Sequence, residues 1–511
     1  MFPSGSRLVA AALLAGLLVG CGGSDAVAPT PTPTPTPIPT PTPTAALALG
    51  AGTASLAPGA TTPVAVTLTR GGGFTGAVTV TATALPTGVT ASTEVIATGA
   101  TTATVTLTAA SSAPAASAAA VSVTGTATGV TIASQALAVS VIVAAAPITQ
   151  VGNDINNVSG GFGARIALSA NGDRLVVASA ETANGTTRVY DRSGGAWTQI
   201  GADIVGESAG DFSGTGVDIN AAGTRIAIGA YFADGASVNS GHVRVFDLVG
   251  GAWTQVGADI DGSAAGSGLG WRVALSASGN RLIAGAPGIN NTFGTATVFD
   301  LVGSVWTQVG NTLSGGNEFG EQVDISGDGS TIAITASAAA ALTRAGSVSV
   351  FRLSGATWTP FGGTLQGIQI NDQFGLGLSL STTGTRIAIA APNDSAAGRG
   401  GLGGIGGGRV RVFDLSASAS TQVGGVVLGV TGEGLGTTLA LSADGTRFAA
   451  NAQEQNRAKV YSLVGSAWVQ TGANITSPPG VSNAEGLALS ADGRAVAVGW
   501  RTRVRVFSIT P

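Results

Sequence analysis

ALSANGDRLVVASA (Ala167–Ala180), ALSASGNRLIAGA (Ala274–Ala286) and ALSADGTRFAANA (Ala440–Ala452) are copies of one phrase, an apolar run broken by a short polar turn ending in glycine. That glycine recurs at Gly172, Gly223, Gly279, Gly329, Gly384, Gly445 and Gly493, in steps of 51, 56, 50, 55, 61 and 48 residues. A period near 50 built only from short strands is the mark of a β-propeller, in which each repeat folds as one small sheet. Seven copies predict seven blades in an all-β chain.

One copy can be read strand by strand. VDIN (Val217–Asn220) turns through Gly223 into RIAIGA (Arg225–Ala230), and HVRVFDL (His242–Leu248) and WTQVGADI (Trp253–Ile260) follow as third and fourth strands. Ala, Ile and Gly dominate the first two, as a crowded axis requires, whereas Phe and Trp fill the outer gap where blades splay apart. ITQVGNDI (Ile148–Ile155) precedes the first copy, and the chain stops at VRVFSI (Val504–Ile509) with no such strand after it. The early strand is therefore expected to complete the final blade, a three-plus-one closure that removes open sheet edges.

Phe162-Gly163, Phe319-Gly320 and Phe374-Gly375 open units, as does Phe212 before Ser213-Gly214; Gly285-Ala286-Pro287 and Ala390-Ala391-Pro392 close second strands. In these dipeptides and tripeptides the region from Ile148 to Pro511 resembles the FG-GAP repeats of the integrin α-chain propeller. That resemblance implies calcium in a D-x-D-x-D-G-x-x-D hairpin, since Ca²⁺ takes 6–8 oxygen ligands. Here the nearest match runs Asp324, Ser326, Asp328, Gly329, and its ninth position is Ile332, which cannot ligate. Asn171-Gly172, Asp444-Gly445 and Asp492-Gly493 read as turn residues that tolerate positive φ. No metal and no cofactor are expected.

The N-terminal region is organised differently. Arg7 precedes an apolar run, Leu8–Val19, too short to span a bilayer. Leu18-Val19-Gly20-Cys21 resembles the bacterial lipobox, which implies cleavage before Cys21, the only cysteine, and its acylation. With Gly22 rather than aspartate next, the resemblance implies sorting to the outer membrane, facing the periplasm or the cell surface. Pro29–Thr44 alternates Pro and Thr and reads as a semi-rigid polyproline spacer. Residues 45–146 contain only two charged side chains, Arg70 and Glu94, and period-2 stretches such as VAVTLTR (Val64–Arg70) and ALAVSVIV (Ala136–Val143). They resemble the Thr- and Ala-rich Ig-like modules of bacterial surface proteins. The expected division is a signal peptide over 1–20, a lipidated Cys21 and linker over 21–44, an Ig-like sandwich over 45–146 and the propeller over 147–511.

Charge makes up 10 % of the chain, against a usual ~25 %. Removing Arg7 with the signal leaves 22 of the 23 basic side chains against 27 acidic, a net charge of −5. No basic cluster with interleaved aromatics points to nucleic acid, and Arg501, Arg503 and Arg505 read as a solvated face. His242, the only histidine, has no second imidazole or nucleophile beside it in sequence, so no catalytic set is assigned. The loops entering the first strands carry Glu207, Asp211, Asp261, Glu318, Asp372, Glu433 and Glu485, an acidic set that is the expected ligand surface together with Trp271. Trp271 and Trp500 break the register in which Trp197, Trp253, Trp306, Trp358 and Trp468 recur as outer-strand packing. The glycine-rich stretch 398–408 reads as a lengthened loop.

The chain is thus expected to be a monomeric, lipid-anchored, non-enzymatic envelope protein that presents a propeller to a protein or glycan. A glycan-cleaving enzyme using two of these carboxylates, or an envelope-assembly scaffold, is the alternative. The anchor is tested by metabolic labelling with palmitate: the wild-type chain should take up label and Cys21→Ser should not, and equal labelling of both would exclude acylation at this site.

Overall fold

The structure, a computed structural model, describes residues 41–510 except 112, 115, 142–147, 158–159, 290–292, 337–344, 370 and 395–405. The expected signal segment, Cys21, most of the Pro-Thr stretch and most of 398–408 lie outside the described residues. Among those described, one 3-10 turn (Gln453–Gln455) interrupts an otherwise all-strand chain, and no helix is long and apolar enough to cross a membrane.

The first region is a two-sheet sandwich. One sheet orders Thr44–Leu49, Thr61–Gly71, Thr102–Ala109 and Val89–Ala91; the other orders Thr53–Leu56, Gln135–Val141, Ala116–Thr126, Val78–Thr83 and Glu94–Ile96. Alternation decides which side chains meet between them. Val64, Val66 and Leu68 from one sheet and Val121, Val123 and Leu137 from the other are buried in one core, while the intervening threonines face out. Arg70, one of the two charges, is spent on carbonyl oxygens of Gly76, Ala97 and Ala100 and so ties loops together.

The second region is a β-propeller. Among the described residues its strands form seven antiparallel sheets, six of them meanders such as Arg165–Leu168, Arg174–Ser179, Thr186–Ser193 and Ala196–Gln199. Second strands are buried after their half-buried leading arginine, as in Arg174–Ser179 and Arg225–Ala230, and as their Val, Ile and Ala content demands. The fourth element differs from expectation: Trp253–Ile260 is not one strand but Ala252–Gln255 and a separate Ile260–Asp261, which pairs back with His242 and Val243. Gly257 at φ 79° makes the break, and Gln255 Nε2 braces it by donating to the Gly257 carbonyl and Asp259. Only the copy at Ala467–Thr476 runs through unbroken.

Closure is explicit. Ile148–Gln150 pairs with Phe507–Ile509, and Asp154 takes two hydrogen bonds from Arg505, at 2.7 and 2.8 Å. At the turn end of the axis the sheets join backbone to backbone in one circle. Ala170 N–H donates to the Ala221 carbonyl, Ala221 to Ala277, Ala277 to Gly327, Gly327 to Thr382, Thr382 to Ala443, Ala443 to Ala491 and Ala491 back to Ala170, all at 2.8–3.1 Å.

Two further ties repeat around the ring. A second-strand arginine pairs with the aspartate across its hairpin and donates Nη1 to the next turn glycine, as Arg281 does to Asp300 and the Gly329 carbonyl at 3.0 Å. Outside, the tryptophan indole donates to the preceding sheet: Trp197 to Val151, Trp253 to Ile200, Trp306 to Val256, Trp358 to Val309 and Trp468 to Val423. Trp358→Phe keeps most of the ring volume but loses this bond, so it should cost on the order of 1 kcal/mol. Trp358→Ala should cost about 3–5 kcal/mol. Urea unfolding of the purified chain measures both, and a Trp358→Phe variant as stable as the wild type would show that the indole N–H is no tie.

Candidate functional site

First strands send alternate residues into the axial channel. One inward level carries Arg165, Gly216, Arg272, Gln322, Gly377, Thr438 and Gly486; two residues further on come Ala167, Asp218, Ala274, Asp324, Ser379, Ala440 and Ala488. They enclose a cavity of about 270 Å³. The acidic level is largely structural. Asp218 accepts the N–H of Leu275 at 2.6 Å, Asp324 that of Leu380 at 2.7 Å and Ser379 that of Leu441 at 3.1 Å, each reaching the next sheet. Burial pushes the Asp218 carboxyl up to about 7, with Asp324 adding to the rise, and burial pushes Asp324 itself up to about 6.

At the opposite end from the turn circle the channel opens beside a cleft of about 220 Å³, lined by Arg165, Glu181, Phe212, Tyr231, Trp271, Glu485 and Arg501. Four sheets contribute. Glu181 and Tyr231 follow the second strands Arg174–Ser179 and Arg225–Ala230, Arg501 follows Ala495–Trp500, and Trp271 immediately precedes the first strand Arg272–Leu275. The aromatic side is preorganised: Tyr231 meets Trp271 edge to face at 4.6 Å, and Phe212 lies 5.8 Å from Tyr231. Phe212 holds a left-handed backbone, φ 56°, and leaves 37 % of its surface exposed. The same backbone conformation recurs at the equivalent Glu318, φ 62°, and Gln373, φ 57°, so it belongs to the entry loop of the repeat, and the exposed ring is what sets Phe212 apart. The Trp271 indole N–H is buried without an acceptor among the described residues. The other side is charged: Arg501 holds Glu181 at 2.6 Å and Glu485 at 2.9 Å.

Of the residues expected to form the ligand surface, Trp271 and Glu485 enter this cleft. The expected acidic surface is not assembled. Asp211, Asp372 and Glu433 are buried. Asp211 accepts the Ser208 N–H, and Asp372 those of Ile368, Gln369 and Phe374, so both brace their own loops. Burial pushes the Asp372 carboxyl up. Burial acts on Glu433 in the same sense but is outweighed by Lys459, the Val430 N–H and Arg457, which hold it below its ordinary value. Glu318 is exposed at φ 62°, and Asp261 is exposed opposite His242.

Glu207 and His242 do come together, with Asp259: their ligand atoms lie within 4.8 Å of one another. Arg244 stands 3.6 Å from Glu207 and supplies the positive charge there. Arg501, Arg503 and Arg505 are not a free solvated face. Arg501 holds the two cleft glutamates, while Arg503 and Arg505 both pair with Asp154. Sequence reasoning missed Glu181, Arg165, Tyr231 and Arg501. A signal existed, because Tyr231 and Arg501 occupy the position of Pro287 and Pro392 in the repeat.

No protein-family model matches the chain, and no curated protein matches it. Solved structures do. Hydrazine synthase from Kuenenia stuttgartiensis is 12 % identical with a TM-score of 0.51, covering 70 % of this chain and 98 % of that one. The C-terminal WD40 domain of Sif2 is 14 % identical, TM-score 0.45, covering 72 % and 100 %. The periplasmic gluconolactonase PpgL of Pseudomonas aeruginosa is 13 % identical, TM-score 0.44, covering 71 % and 99 %. At these identities the likeness is one of fold.

Because the folded-state value of Asp218 lies near 7 and the ordinary value is 3.8, folding takes up a proton between the two. The stability this contributes is full below about 3.8 and is lost as pH rises through about 7. Asp218→Asn keeps an acceptor for Leu275 without the charge. It should flatten the decline and exceed wild-type stability at alkaline pH, as urea midpoints across the pH range would report; an unchanged profile would remove Asp218 as its source.

Proposed function

We propose that this chain is a non-enzymatic, lipid-anchored envelope protein of the outer membrane, in which an Ig-like module carries a seven-bladed propeller, closed three plus one, that binds glycan in the cleft of Phe212, Tyr231 and Trp271. The observation that carries the reading is the pairing of an aromatic wall with a hydrogen-bonding wall across one concavity. Sugars present C–H groups on ring faces and hydroxyls at ring edges, so they need both surfaces at once, and the cleft offers both. A pocket that is apolar on one side with a few fixed polar groups on the other also limits the ordering cost of binding.

Catalysis has less support. Glycoside hydrolysis assigns different roles to two carboxyl groups, whereas Glu181 and Glu485 are both bonded to Arg501. Titration calorimetry against the hits of a glycan array tests the reading. Trp271→Ala should weaken binding at least tenfold with the circular dichroism spectrum unchanged. Undiminished binding by this variant, or release of shortened sugars by the wild type, would overturn it.

A further inference from the structure

Resting on that reading, we propose that the glycan is acidic, its carboxylate received by the guanidinium pair of Arg165 and Arg272 at the channel end of the cleft. Both guanidinia converge on one acceptor: Arg165 Nε and Arg272 Nη1 each donate to the Thr215 carbonyl at 3.2 Å. Their other hydrogen bonds go to uncharged oxygens. Arg165 donates to the Ala164 carbonyl, and Arg272 to the Trp271 carbonyl and the Gln322 amide. These bonds leave Nη2 of each arginine uncommitted among the described residues.

The carboxylates that act on them do so through space, Glu485 and Glu181 on Arg165 and Glu321 on Arg272. Glu181 and Glu485 are already bonded to Arg501. Two like charges held on one carbonyl repel each other, and burial adds to the cost. An anion seated between them would offset both. A pair of planar guanidinia suits a carboxylate, which accepts two parallel hydrogen bonds.

The repeat itself argues that the fold does not require these arginines. At the same inward position three copies have glycine, Gly216, Gly377 and Gly486, and the others have Gln322 and Thr438. A site that glycine satisfies three times has no structural need for a buried charge. The arginines also stand where the aromatic wall meets the channel: the Arg272 guanidinium lies 5.8 Å from the Trp271 ring centroid, and Arg165 lines cleft and channel alike. A sugar ring on Trp271 would thus place a carboxylate substituent toward the pair.

The test compares the mature wild-type chain with the Arg165→Gln, Arg272→Gln double variant, using oligogalacturonate, its methyl ester and inorganic sulfate as probes. The wild type should bind the acid at least tenfold tighter than the ester, and the double variant should bind both about equally. Trp271→Ala should weaken acid and ester alike. Equal binding of acid and ester by the wild type, or a preference surviving in the double variant, overturns the acidic-sugar assignment while leaving the cleft reading intact. Binding of neither overturns both. Sulfate should raise the wild-type melting temperature and not that of the double variant. A sulfate response without discrimination between acid and ester would mark a free-oxyanion site and overturn the sugar assignment.

Discussion

Seven backbone hydrogen bonds passing from turn to turn and returning to their origin impose the geometry of the propeller. Each requires neighbouring turns to approach to about 3 Å at the same angle, so an error at one joint must be absorbed by the other six. The donors sit on small residues, Ala170, Ala221, Ala277, Gly327, Thr382, Ala443 and Ala491. A side chain at Gly327 would come within 2.4 Å of Thr382. Scarcity of large residues near the axis is therefore a steric demand. Each bond nets only about 0.5–1.5 kcal/mol, yet the circle has no weak end from which to fray.

A ring of near-identical units makes equivalent positions, and chemistry appears where the equivalence is broken. The position before the inward residue reads Ala164, Thr215, Trp271, Glu321, Leu376, Thr437 and Glu485, so one tryptophan stands among small, aliphatic and acidic side chains. Tyr231 and Arg501 stand where two other copies have proline, Pro287 and Pro392. These departures cluster on the first, second, third and seventh sheets, next to one another because the ring is closed. Residues separated by hundreds of positions, such as Glu181 and Arg501, thereby share a salt bridge.

The repeat was legible because hydrophobic alternation and turn glycines are local, and a period made of local signals survives any tertiary context. The break at Gly257 was not, since it depends on the side chain of Gln255 folding back onto Asp259. The acidic loop residues misled for the opposite reason. An acidic loop residue looks the same in sequence whether the carboxylate faces solvent or accepts its own loop's N–H groups, as Asp372 does. Trp271 could be picked out because it left the tryptophan register. Arg165 and Arg272 could not, because LSA-type phrases hide which strand residues point to the axis until pairing fixes the register.

The clasp between Thr149 and Ser508 joins residues 359 apart in sequence. Each sheet of the ring but the one it completes is a meander of neighbouring strands, able to form as soon as about 50 residues are available. The clasp must wait until Ser508 is available. A chain threaded through a membrane pore from its amino end would therefore emerge as a string of nascent sheets with an unpaired leading strand. Its most aggregation-prone interval would fall before Phe507–Ile509 emerges, when Ile148–Gln150 still lacks its partner.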